Sequence, residues 1–219
     1  MKLEEYLVEI EKFIKDYLES NHMDKIVLGL SGGVDSSLVA ALTKEAVGKD
    51  RLICFMMPIE SHPSDLEDAI AVAKALELEY YVLDGTETFR AAKRAFESQN
   101  IELDRATLSN LKVRIRMSYL FAYAQKCRGL VIGTDNADER YTGYFTKYGD
   151  GAADLMPIVH LTKAEVVEAA KILGIPTKLA ERVPSAGLFE GQTDEGEMGV
   201  TYADLDAFLL GKEIPEEAK

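Results

Sequence analysis

The stretch that most narrows what this chain can fold into is KIVLGLSGGVDSSLVAALTKEAV, residues 25 to 47. It opens as an apolar run, breaks at Ser31, Gly32 and Gly33, and resumes at once with helix formers that stop at Gly48. A short strand that is apolar at successive positions is buried on both faces, and such strands belong to parallel sheets covered by helices. Similar units follow. RLICFMMP (51 to 58) reads as a strand leading into a helix over 64 to 78, capped by Ser64 with Glu67 three residues on. EYYVLD (79 to 84) leads into helices around 86 to 98 and 105 to 127, and GLVIG (129 to 133) supplies a fourth strand. The alternation predicts a doubly wound α/β fold, a parallel sheet with helices on both faces joined by right-handed crossovers. Ligands of such sheets sit beyond the carboxyl ends of the strands, where the strand order reverses.

The flanks add helices. Leu3, Tyr6, Leu7, Ile10, Phe13, Ile14, Tyr17 and Leu18 recur at helical spacing, a helix is expected over 162 to 173, and a polar loop over 184 to 199 precedes a short helix in YADLDAFLL. With 219 residues, 47% of them hydrophobic and 29% charged, the chain can bury a core as one domain, 1–219, without staples. No apolar stretch approaches the roughly 20 residues of a membrane span, and the N-terminus has no signal-like apolar region, so a cytoplasmic protein is expected. Cys54 and Cys127 are read as two buried thiols, not a disulfide framework. A net charge of −13 argues against nucleic acid as a partner.

The turn after the first strand carries chemistry. Gly32 and Gly33 permit positive φ and close approach of backbone to a ligand, and the following helix aims its free N–H groups at the same point. Ser31, Ser36 and Ser37 add hydroxyls, while Asp35 beside phosphates makes sense where a divalent cation lies between them. Neither G-x-x-x-x-G-K-[ST] nor G-x-G-x-x-G follows a strand here. The bland alternative is a turn whose glycines serve close packing. S-G-G-V-D-S, however, resembles the pyrophosphate-binding loop of the ATP pyrophosphatases that adenylate their substrates.

A second constellation, GTDNADERYTGYFTKYGDGAADLMP (133 to 157), stands at the tip of the fourth strand. It mixes Asp135, Asp138, Glu139, Asp150 and Asp154 with Arg140 and Lys147 and with four aromatic residues, denser than a solvated loop needs. One of these carboxylates could share a cation with Asp35, and Lys147 or Lys163 could neutralise charge developing at phosphorus. Spacing alone does not say which acid.

With NLKVRIRMSYLFAYA (110 to 124) and VPSAGLFEGQTDEGEMGVTYADLDAFLLGK (183 to 212), these blocks resemble the NAD synthetases over residues 26 to 212. The resemblance implies a Rossmann-like, adenine nucleotide alpha-hydrolase-like fold. It implies that Gly29, Leu30, Ser31, Gly32, Gly33, Val34, Asp35 and Ser36 hold ATP, with further contacts from Thr134, Lys163 and Ser185. Asp35 and Glu139 would hold Mg2+, and Arg114, Lys147 and Asp154 would contact deamido-NAD. The implied reaction is amidation of deamido-NAD to NAD through an adenylate, with ammonia as nitrogen donor because no glutaminase domain accompanies the blocks. Lys163, Asp35 and Glu139 would act electrostatically, and no covalent nucleophile is expected. A homodimer formed through the 105 to 127 helix is implied as well. The family usually continues past the position of LLGKEIPEEAK into a tail whose His-Lys pair contacts the dinucleotide; this sequence stops at Lys219 and its histidines are His22, His62 and His160, so either it is truncated or that contact is missing. Two other readings stand beside this one: a tRNA-modifying relative, which would call for cysteine pairs and a basic face, and a non-catalytic ATP-binding module.

Overall fold

In a computed structural model of the protein, residues 2–182 and 193–215 are described. Strands β1 (Lys25–Gly29), β2 (Leu52–Met56), β3 (Glu79–Val82) and β4 (Gly129–Ile132) form one parallel sheet in the order β3-β2-β1-β4. The chain builds outward from β1 to β3 and then crosses to the other side of β1, so the order reverses between β1 and β4. That places the ligand crevice beyond Gly29 and Ile132. Past Ile132 a single parallel bridge to Leu155 extends the sheet edge.

Alternation along the strands separates two cores. Ile26 and Leu28 face one side, where they pack with α1 (Leu3–Ser20), α2 (Val34–Val47) and α3 (Pro63–Ala75), and α7 (Lys163–Ile172) closes the same layer. Val27, Ile53, Phe55 and Val131 face the other side and pack on Met117 and Leu120 of α5 (Arg105–Lys126). Helix α4 (Thr86–Glu97) leans on α5 through Phe89, Ile59 and Ile115. Shorter helices complete the described chain: α6 (Ala137–Thr142), α8 (Thr177–Ala180), α9 (Asp194–Met198) and α10 (Tyr202–Leu209).

The departures from the sequence reading have local causes. Helix α3 starts at Pro63, whose fixed φ suits a first helical position, and His62 caps it by accepting the Ser64 N–H on Nδ1; Ser64 lies inside the helix and is not its cap. Strand β3 is a sheet edge with one half-buried position among exposed ones, not a strand buried on both faces. Segment 133–157 is not all loop, because Asn136 and Glu139 form a capping box that starts α6. The described end of the 184–199 stretch likewise contains α9, capped by Thr193. Cys54 is buried and its thiol is pushed up to about 12 by burial, whereas Cys127 is half-buried. Among the described residues no helix is long and apolar enough to cross a membrane.

Candidate active site

The turn between β1 and α2 is fixed from both sides. Gly32 has φ +85°, and a Cβ there would fall 2.8 Å from the Ala69 nitrogen and 2.9 Å from the Asp65 carbonyl oxygen, so the turn lies directly on the first turns of α3. The Ser36 and Ser37 hydroxyls donate to the Gly33 carbonyl, and the Gly33 N–H donates to the Ser31 hydroxyl. Helix α2 begins at Val34 with no side chain capping it from Gly33. The N–H groups of Val34, Asp35 and Ser36 therefore have no partner within the helix and project, with the dipole, into the crevice. Gly29 and Leu30 serve as scaffold: the Leu30 N–H is taken by the Phe55 carbonyl, and Gly29 faces Leu120 and Met57.

Three charged side chains from distant parts of the chain meet beside this turn. The Lys163 ammonium, from the start of α7, donates to Asp35 Oδ2 at 2.6 Å and lies 3.7 Å from Glu139 Oε1. Asn136 donates from Nδ2 to Asp35 Oδ1 at 2.9 Å, and its backbone N–H donates to Glu139 Oε2. Burial, reinforced by the Asp35 charge and opposed by Lys163, pushes the Glu139 carboxyl well above the ordinary range. Burial alone would lower the Lys163 pKa, but Asp35 and Glu139 outweigh it and hold the ammonium above its usual value. The Lys163 cation also sits 4.8 Å over the Tyr202 ring.

The backbone of Lys163 is held as firmly as its side chain. Its N–H meets Asp138 Oδ2 at 2.8 Å and Asp206 Oδ1 at 3.1 Å, and Asp206 Oδ2 accepts the Ala164 N–H. Two carboxylates thus cover the N-terminus of α7, a favourable end for negative charge. Asp138 is still pushed up to about 7, by burial first and by Asp206 next. Tyr202 O–H donates to Asp194 Oδ2, and Tyr144 O–H to Glu197 Oε2, so α9 is fastened over the cluster. Burial and these acids raise both phenols above their ordinary values.

The remaining residues singled out in the sequence form a second, more open group. Arg114, exposed on α5, donates from Nε to the Lys147 carbonyl; Lys147 is exposed, its ammonium 5.1 Å over the Tyr148 ring. Asp154 Oδ2 accepts the Val131 N–H at 2.7 Å, which ties the segment to β4. Thr134 follows β4 at the mouth of the crevice, and Ser185 lies outside the described residues. Sequence reading passed over Asn136, Tyr202 and Asp206, and named Asp138 only as one of the segment's acids, without its place at the start of α7. The N-x-x-E spacing of Asn136 and Glu139 announces a helix cap, but nothing local announces the link from Asn136 to Asp35, 101 residues away.

The donor set suits a divalent cation that arrives with phosphates. Among the described residues no group of three or more His, Cys, Asp or Glu side chains could cage a metal alone. Asp35 and Glu139 converge instead on the Lys163 ammonium, and two acids beside a phosphate-binding turn also fit Mg2+, which is held by one or two carboxylates plus substrate phosphates. A reversal point in a parallel sheet, bare helix amides and a two-acid cation site define the class: a nucleotide-phosphate-handling α/β protein. The NAD synthase family model matches residues 6–219, and the chain belongs to that family. It is 44% identical over 216 residues to an NH(3)-dependent NAD(+) synthetase of Alkaliphilus oremlandii (strain OhILAs), covering 95% of this chain and 86% of the relative. Among solved structures it resembles the NMN synthetase of Francisella tularensis, with a TM-score of 0.94 and 38% identity over 100% of this chain and 90% of that one. The NH3-dependent NAD synthetase of Campylobacter jejuni matches with a TM-score of 0.78 and 31% identity over 96% and 85%.

Proposed function

We propose that this chain is a carbon–nitrogen ligase that amidates deamido-NAD to NAD with ammonia and ATP. The observation that carries the reading is the convergence of Asp35, Glu139 and Lys163 beside uncapped amides in a member of the NAD synthase family. The amides of 34 to 36 bind the β- and γ-phosphates of ATP, and Lys163 balances charge on the phosphoryl oxygens. Asp35 and Glu139 would hold Mg2+, which lowers the charge of the departing pyrophosphate when it is bound. Arg114, Lys147 and Asp154 orient the pyridine nucleotide so that its carboxylate oxygen faces the α-phosphorus. That oxygen attacks, the bond from the α-phosphorus to the bridging oxygen breaks, and pyrophosphate departs. Ammonia then adds to the carbonyl of the acyl adenylate, the carbonyl-to-AMP oxygen bond breaks, and one proton from nitrogen leaves to solvent. Adenylation replaces the poor oxide leaving group of the carboxylate by AMP and the second step expels that AMP, so the chain needs binding and charge compensation but no covalent nucleophile.

One domain over 1–219, a cytoplasmic location and a homodimer belong to the same reading. The last is supported by the apolar surface that β3 and α5 leave exposed at Tyr81, Val82, Leu83 and Phe121. The likeness to an NMN synthetase favours a second substrate, the nicotinate mononucleotide, because the same carboxylate would be presented without the adenylate half. One experiment separates them: the protein is supplied with ATP, magnesium, either pyridine nucleotide, and ammonium or glutamine. Formation of AMP and NAD from deamido-NAD with ammonium is expected. AMP and nicotinamide mononucleotide from the mononucleotide alone would favour the second reading, and no AMP with either would overturn both.

A further inference from the structure

One face of α5 overhangs the crevice. The helix runs back to the start of β4, so its N-terminal half projects past the carboxyl edge of the sheet. Residues at helical spacing along that face record what they overhang. Asn110 accepts from the Thr146 hydroxyl, Val113 lies against Gly149, and Leu120 lies against Gly29 at the tip of β1. Arg116 falls between Val113 and Leu120. Its side chain thus occupies the gap between segment 145–154, where the pyridine nucleotide is placed above, and the strand tips that carry the glycine turn.

The guanidinium is fixed there by neutral groups. Nε donates to the Met57 carbonyl at 2.9 Å and Nη2 to the Ser61 hydroxyl at 3.1 Å, both in the β2–α3 connection. Among the described residues no carboxylate forms an ion pair with it. Burial pulls its pKa below the ordinary arginine value, and the more distant charges of Asp65 and Asp150 act in the opposite sense. An arginine keeps its charge under such conditions, and a fork with five donors retains N–H groups that these two acceptors do not use. A poorly solvated cation with spare parallel donors is suited to an anionic oxygen pair.

We infer that Arg116 contacts the reacting centre, its fork binding the anionic oxygens that meet there, those of the α-phosphoryl group or of the carboxylate that attacks it. The inference rests on the reaction proposed above and adds a residue to it. Arg114, two positions earlier, points elsewhere on the helix and is already engaged with Lys147.

Arg116→Lys and Arg116→Gln test it. The readouts are the thermal midpoint without ligand, the midpoint shifts with Mg-ATP and with Mg-pyrophosphate, and kcat and KM for both substrates. Expected are an unliganded midpoint within a few degrees of wild type, an unchanged pyrophosphate shift, a reduced Mg-ATP shift and a kcat lowered about 100-fold in Gln and less in Lys. A raised KM for ATP assigns the fork to the phosphoryl oxygens, and a raised KM for the pyridine nucleotide assigns it to the carboxylate. Turnover and both KM values within threefold of wild type in both variants would overturn the inference, as would loss of more than about 10 °C of unliganded midpoint in both, which marks a purely structural tie. If wild type turns over neither pyridine nucleotide, the proposed reaction fails, and the midpoint shifts with Mg-ATP and with each pyridine nucleotide decide Arg116: equal shifts with all of them in wild type and variants refute the contact.

Discussion

Gly32 shows how little freedom the binding turn has. Gly32→Ala adds a methyl group against the α3 backbone at a φ that side chains rarely adopt, so it should destabilise the protein by about 1–3 kcal/mol in urea denaturation and abolish turnover. Asp35→Asn and Glu139→Gln should each abolish turnover while the far-ultraviolet circular dichroism stays that of wild type; full activity in either removes that acid from the cation site. Asp135 offers a pH test. Burial first, and then the Asp150 charge, push it up to about 7, with Arg140 opposing. Between roughly pH 4 and 7 the unfolded chain has released this proton and the folded one still holds it, so this group lowers stability as pH rises through that window. Asp135→Asn should therefore flatten the fall in thermal midpoint between pH 5 and 8, and an unchanged slope would refute the assignment. At this scale the glycines, Asp35 and the serines were legible, because turn chemistry is written in adjacent residues. Asn136 and Tyr202 were not, since each acquires its partner only when distant segments dock.

Among the elements, those with a strong period were read to within one or two residues: α1, α5, and the strands β1 and β4. β3 was read as a strand, but its exposure was not legible, because its tyrosines and valine look like core residues while among the described residues no strand flanks it on the outer side. α6 and α9 were hidden in polar segments because their starts depend on caps, not on apolar periodicity. The capping of α7 is the element-level device that matters for the site. Asp206 reaches from α10 to the first two amides of α7, so Asp206→Ala should cost about 0.5–2 kcal/mol by removing a helix cap, although the Lys163 N–H keeps Asp138 as its acceptor. Because Lys163 is the first residue of α7, the same change should raise the KM for ATP; an unaltered KM would separate the two helices functionally.

For the whole molecule, the homodimer proposed above would form on the outer edge of β3, unpaired among the described residues, and on the exposed apolar residues of α5. Glutamate at Val82 and Phe121 together should convert a dimer into monomers in sedimentation equilibrium, and an unaltered mass would place the interface elsewhere. Fold class and family were both legible from four blocks of sequence. The order in which the strands lie was not, because it is set by where each crossover helix packs and not by any local pattern.

The ammonium tucked between Asp35 and Glu139 has a consequence for the empty protein. Two poorly solvated acids facing each other would normally strain a fold, yet here an internal counter-ion offsets both. The scaffold should accordingly be indifferent to chelators, melting at the same temperature with or without them, and magnesium should register only in company with a polyphosphate that draws the lysine out of its berth.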